Sequence, residues 1–280
     1  MPQAPVQNRT RQAAETNLVA KKAAKISAAK NRMHLAQLEE LLDFDHGHRF
    51  SGRSSKPKCH IVGTDEVGRG CLAGPVVACA VVLPEFSIKS DIAKALSELN
   101  DSKKLTLEQR ERLSHSLQSI CHFAIGEACV REINELNILN ASLLAMKRAV
   151  EQVVASGQYA LLPVLVLIDG NKKVAGLDHI QQTVIGGDSK SASIAAASII
   201  AKVHRDRLMT ELSAQHPAFG WHQNKGYGSK LHRDALQEHG MTQWHRHLFC
   251  QKILCTQLNL TDLLDEAQLE IGDDLEFLED

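Results

Sequence analysis

The sequence predicts an α/β fold, a mixed β-sheet flanked by helices, with a helical region toward its C-terminal end. Three observations carry that reading. Short β-branched runs stand at 60–65, 76–83 and 123–130, a continuous apolar run stands at 164–168, and helical patterns cover 134–155 and 194–212. Three strands in succession, then helix, buried strand and helix, describe one sheet whose faces the helices cover.

The first forty or so residues are Ala- and Lys-rich, with no aromatic side chain before Phe44. Residues 10–42 read as a solvated helix without an obvious core-building face, hence a tail or a loosely attached helix. Up to Gln37 they hold seven basic residues against the single acid Glu15, a balance shared with organelle transit peptides, which is the second reading. Residues 60–65 and 76–83, joined by a Gly-rich turn, read as an antiparallel hairpin, and 123–130 as a third strand. Between the second and third strands, Thr106 and Gln109 form a capping box ahead of a helix with Leu113, Leu117 and Ile120 as its buried stripe.

Asn134 is the expected cap of the next helix, which runs to about Ala155 with Ile138, Leu139, Leu143, Met146, Val150 and Val153 at helical spacing. The run 164–168 ends at Asp169-Gly170 and reads as a strand buried on both faces. Residues 194–212 read as a long helix whose Ala-rich first turns permit close packing, and shorter helical pieces follow Ser229 and Thr242. From Thr256 onward the chain is Leu- and acid-rich.

Composition narrows the class. Hydrophobic residues make up 44% and charged residues 23% of the 280 positions, as in an ordinary globular protein. No uninterrupted apolar run reaches the roughly 18 residues of a membrane helix, and no apolar core of a secretory signal opens the chain. A cytoplasmic, monomeric protein without a membrane partner is the expectation. Seven cysteines, an odd number without a Cys-x-x-Cys pair, read as reduced core thiols, with Cys79 and Cys129 in strands. The net charge of −1 hides an asymmetry: residues 1–58 carry eleven Lys/Arg against five Asp/Glu, whereas 256–280 carry nine Asp/Glu and no Lys/Arg. A nucleic-acid enzyme needs a locally basic face, which this balance neither demands nor forbids.

Four acids stand at positions where α/β sheets gather functional groups. Asp65 and Glu66 close the first strand, Asp169 closes the buried strand, and Asp188 follows Gly186-Gly187 just ahead of a long helix. Taken singly, each has a plainer reading as a solvated or capping residue, and Asp188 serves equally as a helix cap. Together they form a set of hard oxygen donors without His or Cys, which favours Mg2+ or Mn2+. Clustered carboxylates repel one another until a cation joins them.

The turn Gly68-Arg69-Gly70-Cys71-Leu72-Ala73 fits a dinucleotide-binding fingerprint, but that motif requires a helix next. Gly74-Pro75-Val76-Val77 starts a strand instead, so no helix N-terminus is present to receive a pyrophosphate. Exposed amides and Arg69 beside an acidic centre suit a bound phosphate or sugar.

Seven runs, in order over about residues 60–240, resemble bacterial ribonuclease HII: Gly63-Thr-Asp-Glu-Val-Gly-Arg-Gly70, Asp101-Ser-Lys-Lys-Leu105, Leu136-Asn-Ile-Leu139, Ile168-Asp-Gly170, Gly187-Asp-Ser-Lys190, Ala196-Ala-Ser-Ile-Ile-Ala-Lys-Val203 and Asn224-Lys-Gly-Tyr-Gly228. The resemblance implies a ribonuclease H-like sheet and endonucleolytic cutting of the RNA strand in RNA–DNA hybrids. It also implies incision at single ribonucleotides in duplex DNA. It places Asp65, Glu66, Asp169 and Asp188 on the family's metal-binding acids, and Gly68, Arg69 and Gly70 on its reader of the 2′-hydroxyl, the group that distinguishes RNA from DNA. Tyr227 falls on a tyrosine that packs against the following deoxyribose, a position otherwise read as a core or hinge aromatic. Ser102, Lys103 and Lys104 fall on a phosphate-contacting loop. Lys190 is a further candidate phosphate contact, and Lys202 is either another or the partner of a carboxylate.

Some family members have Pro and Ser where this chain has Ala192 and Ala195, neither a ligand position. The division that follows is a basic N-terminal extension at 1–58, helical or disordered, a ribonuclease H-like catalytic domain with C-terminal helices at 59–250, and an acidic tail at 251–280. In that tail Gln257-Leu258-Asn259-Leu260 resembles peptides that dock on sliding clamps, without their usual aromatic. A catalytically silent nucleic-acid-binding protein is the competing class, and the presence of all four acids argues against it.

Overall fold

The computed structural model describes residues 6–49, 58–156, 159, 162–251 and 253–254, so the acidic tail with its 257–260 segment lies outside the described residues. Helix α1 (Val6–Arg49) precedes β1 (His60–Val67) and β2 (Val76–Val82). Helix α2 (Asp91–Ala95), a 3-10 turn at Ser102–Lys104 and α3 (Leu107–Ile120) lead into β3 (His122–Ala128). Then come α4 (Val130–Leu136), α5 (Ile138–Ala155), β4 (Val164–Asp169) and β5 (Ile180–Val184). A 3-10 turn at Gly187–Ser189 opens onto α6 (Ala192–Gln215), and after a further turn at Pro217–Phe219 come α7 (Trp221–Asn224) and α8 (Lys230–His239).

The strands form one mixed sheet in the order β3-β2-β1-β4-β5. β1, β2 and β3 pair antiparallel in succession, whereas β4 runs parallel to β1 and β5 parallel to β4. The hairpin, the third strand, the buried strand and the capping box of α3 match the sequence reading. β5 does not: its Ile-Gln-Gln-Thr-Val run lies at the sheet edge with Ile180 exposed, and two glutamines blunt the apolar alternation that marks a strand. The helix expected from Asn134 instead begins at Ile138. Asn137, at φ 68°, accepts from the Leu139 and Asn140 N–H groups, and Asn134 accepts from the His247 N–H. That backbone conformation, strained for any residue but glycine, separates α4 from α5. Cys129 likewise is not in a strand but exposed at the start of α4; Cys59, Cys71, Cys79, Cys121 and Cys250 are buried free thiols.

Two apolar layers sandwich the sheet. Val62, Val76, Ala78, Val166 and Ile168 pack on Ala145, Met146, Ala149 and Val150 of α5. On the other face Val77, Cys79 and Val81 meet Ala192, Ala195, Ala196 and Ile199 of α6. Small residues let α6 come close: a Cβ on Gly63 would stand 2.3 Å from the Ser193 carbonyl carbon, so only glycine fits there. Leu38 and Leu41 of α1 are buried in this second layer, and Asp45 is 7% exposed. The expectation of a loosely attached helix therefore fails for the last turns of α1. Leu35, Leu38, Leu41 and Leu42 stand at helical spacing only at the end of a long Ala/Lys-rich run, and they find a ready surface in the α2–α3–α6 layer. Among the described residues no helix is long and apolar enough to cross a membrane.

The C-terminal helices are held by a buried cluster in which Phe219 stacks on Trp221 at 5.2 Å, with His232 and His245 edge-on. The Thr242 N–H donates to His245 Nδ1, so His245 carries its proton on Nε2 and donates it to His232 Nε2 at 3.1 Å. Trp221 Nε1 donates to the same nitrogen, leaving His232 Nδ1 to donate to the Tyr227 carbonyl. Both rings are thus bonded in their neutral forms. Burial lowers both pKa values, and His245, next to His232 and His216, falls to about 4. Because the unfolded histidine protonates near 6.5, this contribution to stability is complete above that pH and is lost as pH falls toward 4. Urea unfolding should show a His245→Gln variant losing about 2 kcal/mol less stability than the parent between pH 7 and pH 4; parallel pH curves would contradict the neutral pairing.

Candidate active site

Strand pairing brings the first two acids together. Thr64 of β1 pairs with Ile168 of β4 in parallel register, so Asp65 and Asp169 leave adjacent strands at one level. By the alternation of side chains, Asp65 shares the face of Gly63 and Asp169 that of Leu167, both toward the first turns of α6. Asp65 is 6% exposed. Its Oδ1 accepts the Glu66 N–H at 2.8 Å, and the nearby Ser198 hydroxyl of α6 favours its charged form. Asp169 Oδ1 accepts the Gly187 N–H at 2.6 Å, which brings the neighbouring Asp188, itself buried, to the same edge.

Burial, then the charges of Glu66 and Asp169, push the Asp65 carboxyl well above its ordinary range. Burial also raises Glu66, against the opposing charge of Arg69 at 3.2 Å and with help from Asp169. Asp188 is raised by burial, by Asp101 and by Asp169. Lys103 Nζ stands 3.7 Å from Asp188 Oδ2. Burial works against the Lys103 charge, but Asp188, Asp101, Asp65 and Asp169 outweigh it and raise the pKa. Carboxylate oxygens are the whole donor set, which fits a hard divalent cation. Among the described residues no three His, Cys, Asp or Glu side chains already close on a single point as an ion cage.

A second structure stands at the end of β1. The turn after Val67 is held by two guanidinium groups that are fully buried. Arg205 of α6 donates to the carbonyls of Ala73, Pro75 and Lys225, and Arg246 to those of Arg69, Gly74 and Pro75, at 2.8–3.2 Å. Burial lowers the Arg246 pKa to about 10, so it stays protonated at neutral pH and the carbonyls replace its water. Gly68 has φ 95°, and a Cβ there would lie 2.2 Å from Arg205 Nε, so this turn admits only glycine. The Leu72 N–H donates to the Gly226 carbonyl at 2.8 Å, tying the turn to the loop that carries Tyr227.

The predicted residues therefore gather into two adjoining groups. Asp65, Glu66, Asp169, Asp188 and Lys103 form the acidic edge, while Gly68, Arg69, Gly70 and the 42%-exposed Tyr227 form its neighbour. Lys104 is exposed beside Lys103, and Lys190 donates to the Ile185 carbonyl beside the Asp188 turn. Lys202 pairs with Asp206 at 2.7 Å, with its ammonium over the Tyr227 ring. Ser102, expected among the phosphate contacts, is buried; its hydroxyl bonds Ser198, which in turn reaches Asp65.

The family model for ribonuclease HII matches residues 62–252. The chain belongs to the ribonuclease HII family. Ribonuclease HII of Paracoccus denitrificans is 47% identical over 203 residues, covering 72% of this chain and 90% of that one. Its counterpart in Ruegeria pomeroyi is 52% identical over 189 residues, or 68% and 75% of the two chains. The crystal structure of ribonuclease H2 from Pyrococcus horikoshii superposes with a TM-score of 0.54 at 26% identity, over 69% of this chain and 96% of that one. Bst-RNase HIII, solved in complex with Mn2+, shares the fold with a TM-score of 0.57 at 21% identity, over 74% and 76%. As a ribonuclease HII the protein is a metal-dependent ribonuclease of the H type, a hydrolase with RNA–DNA hybrids as substrates.

Several residues of this ribonuclease HII site escape a reading of the sequence. Arg205 and Arg246 look like solvated charges, and nothing local signals that backbone carbonyls distant in the chain will surround them. Asp101 was legible, since it opens the Asp-Ser-Lys-Lys run, but only the fold sets it against Asp188. Removing the Arg246 head group as Arg246→Met strands the Arg69 and Gly74 carbonyls, whereas that of Pro75 keeps Arg205. Urea denaturation should register a loss of about 3 kcal/mol, and a loss below about 1 kcal/mol would show the clamp to be dispensable.

Proposed function

We propose that this ribonuclease HII cuts the RNA strand of RNA–DNA hybrids and incises duplex DNA on the 5′ side of a single embedded ribonucleotide, leaving 5′-phosphate and 3′-hydroxyl ends. One observation carries the reading: acids from three chain segments meet beside a glycine turn that two buried arginines hold against the Tyr227 loop. In this reading Asp65, Glu66, Asp169 and Asp188 hold two Mg2+ or Mn2+ ions. When bound, such ions supply the positive charge that activates water and stabilises the leaving 3′-oxygen.

The other roles belong to groups of the chain itself. Backbone groups of Gly68 and Gly70, together with the Arg69 side chain, read the ribose 2′-hydroxyl, which the missing Cβ of Gly70 allows to approach closely. Tyr227 packs on the sugar that follows, and Lys103, Lys104 and Lys190 meet phosphates. Ser102 acts from within, through Ser198, on the orientation of Asp65. The catalytic unit is residues 59–250 together with the buried last turns of α1, and the enzyme works in the cytoplasm. Docking on a sliding clamp through 257–260 belongs to the tail outside the described residues.

A related nuclease that requires a run of ribonucleotides is the second reading, and the built glycine turn favours the single-junction type. Asp169→Asn should lower cleavage of a duplex with one ribonucleotide at least about 100-fold in Mg2+ or Mn2+ while circular dichroism stays unchanged. Full activity of that purified variant would refute the acid assignment. Arg69→Ala should reduce the preference for one ribonucleotide over an all-DNA duplex about tenfold, a hydrogen bond's worth of free energy. If the preference persists, Arg69 has a structural role only.

A further inference from the structure

The family match begins at residue 62, so α1 lies wholly before it. Yet α1 sends one carboxylate into the heart of the fold. Asp45 is 7% exposed; its Oδ1 accepts the Ser191 hydroxyl at 2.6 Å and its Oδ2 accepts the Ser193 N–H at 2.9 Å. Ser191 is the N-cap of α6, and its Oγ also accepts the Ile194 N–H. Asp45 therefore completes a cap that the serine begins, in a place where an anion also meets the positive end of a 24-residue helix.

This cap is wired to the acids. The Ser191 N–H donates to the Gly187 carbonyl at 2.8 Å, and the Gly187 N–H donates to Asp169 Oδ1 at 2.6 Å. Asp188 lies between those two residues in the chain. The backbone of Ser193, which Asp45 holds, is also the surface against which Gly63 packs, two residues before Asp65 on the same side of β1. One carboxylate thus touches two routes by which the start of α6 meets the acidic edge, through Ser191 and through Ser193.

We propose that Asp45 is a positioning residue for the carboxylate centre: it locks the first turn of α6 and so sets where Asp188 and Asp169 point. The N-terminal helix is then part of the working enzyme. The inference rests on the proposed role of the four acids as metal ligands. Loss of an outer partner of a metal ligand costs about 10–100-fold in metal affinity or activity, because the ligand retains its chemistry but loses its aim.

The test uses full-length protein with Asp45→Ala, Asp45→Asn, the exposed control Asp43→Asn, and Asp169→Asn in parallel. For Asp45→Ala the expected outcome is a kcat about tenfold lower at saturating Mn2+ with KM for the duplex unchanged, and Mn2+ binding by calorimetry weakened about tenfold. Amide exchange of the metal-free protein should quicken at 187–195 and not in α5. Asp45→Asn, which keeps an acceptor oxygen, should recover part of the loss, and Asp43→Asn should match the parent. Should Asp45→Ala prove poorly folded, Asp45→Asn carries the same measurements. Parental kcat and Mn2+ affinity per folded molecule in the Asp45 variants, with Asp169→Asn inactive, would overturn this role alone. An active Asp169→Asn enzyme would overturn the ligand reading and this inference with it.

Discussion

The crowding of acidic side chains at one end of a mixed sheet is the constraint to which the rest of this molecule answers. A carboxylate taken out of water costs several kcal/mol unless something compensates it, and here five acids feel one another's charge. Arg69 and Lys103 offset part of that charge from the exposed rim. The backbone nevertheless holds the acids together, because parallel pairing of β1 with β4 leaves Asp65 and Asp169 side by side. In a metal-dependent hydrolase such an arrangement is a store of unsatisfied negative charge that a divalent cation relieves.

Helix α6 is the common wall. Its alanines bring it close enough for Ser193 to rest on Gly63, and Ser198 reaches Asp65 from the same face. Farther along, Arg205 grips the glycine turn and the Lys225 carbonyl together. One rigid element therefore sets both the acidic edge and the adjoining surface that bears Tyr227. A helix can do this because its residues keep fixed spacing over many turns, whereas each loop by itself would drift. The neutral His232–His245 pair serves the same loop from behind, with His232 donating to the Tyr227 carbonyl.

The site was more legible than its supports. Four acids, the Gly68-Arg69-Gly70 turn and Tyr227 stand out because small residues and charges occur at strand ends, where local patterning marks them. Ser102 was placed with the phosphate contacts by its neighbours Lys103 and Lys104, but a hydroxyl is small enough to turn inward, and it does. β5 was missed because an edge strand needs only one partner and tolerates glutamine. The start of α5 was displaced by one short helix because Asn134 and Asn137 are equally good caps on paper.

From the amino-acid order alone came the α/β class, most strands and helices, the cap at Thr106, and the acids that the fold brings to one edge. Those follow from backbone propensity and the spacing of apolar and charged groups, which act over a few residues. Tertiary structure alone decided that Asp45 reaches Ser191, that Arg246 surrounds itself with carbonyls of residues 69–75, and that Asp101 faces Asp188. The first two contacts join residues more than a hundred positions apart and the third nearly ninety. Only the packing of the helices and the C-terminal segment around the sheet brings them together.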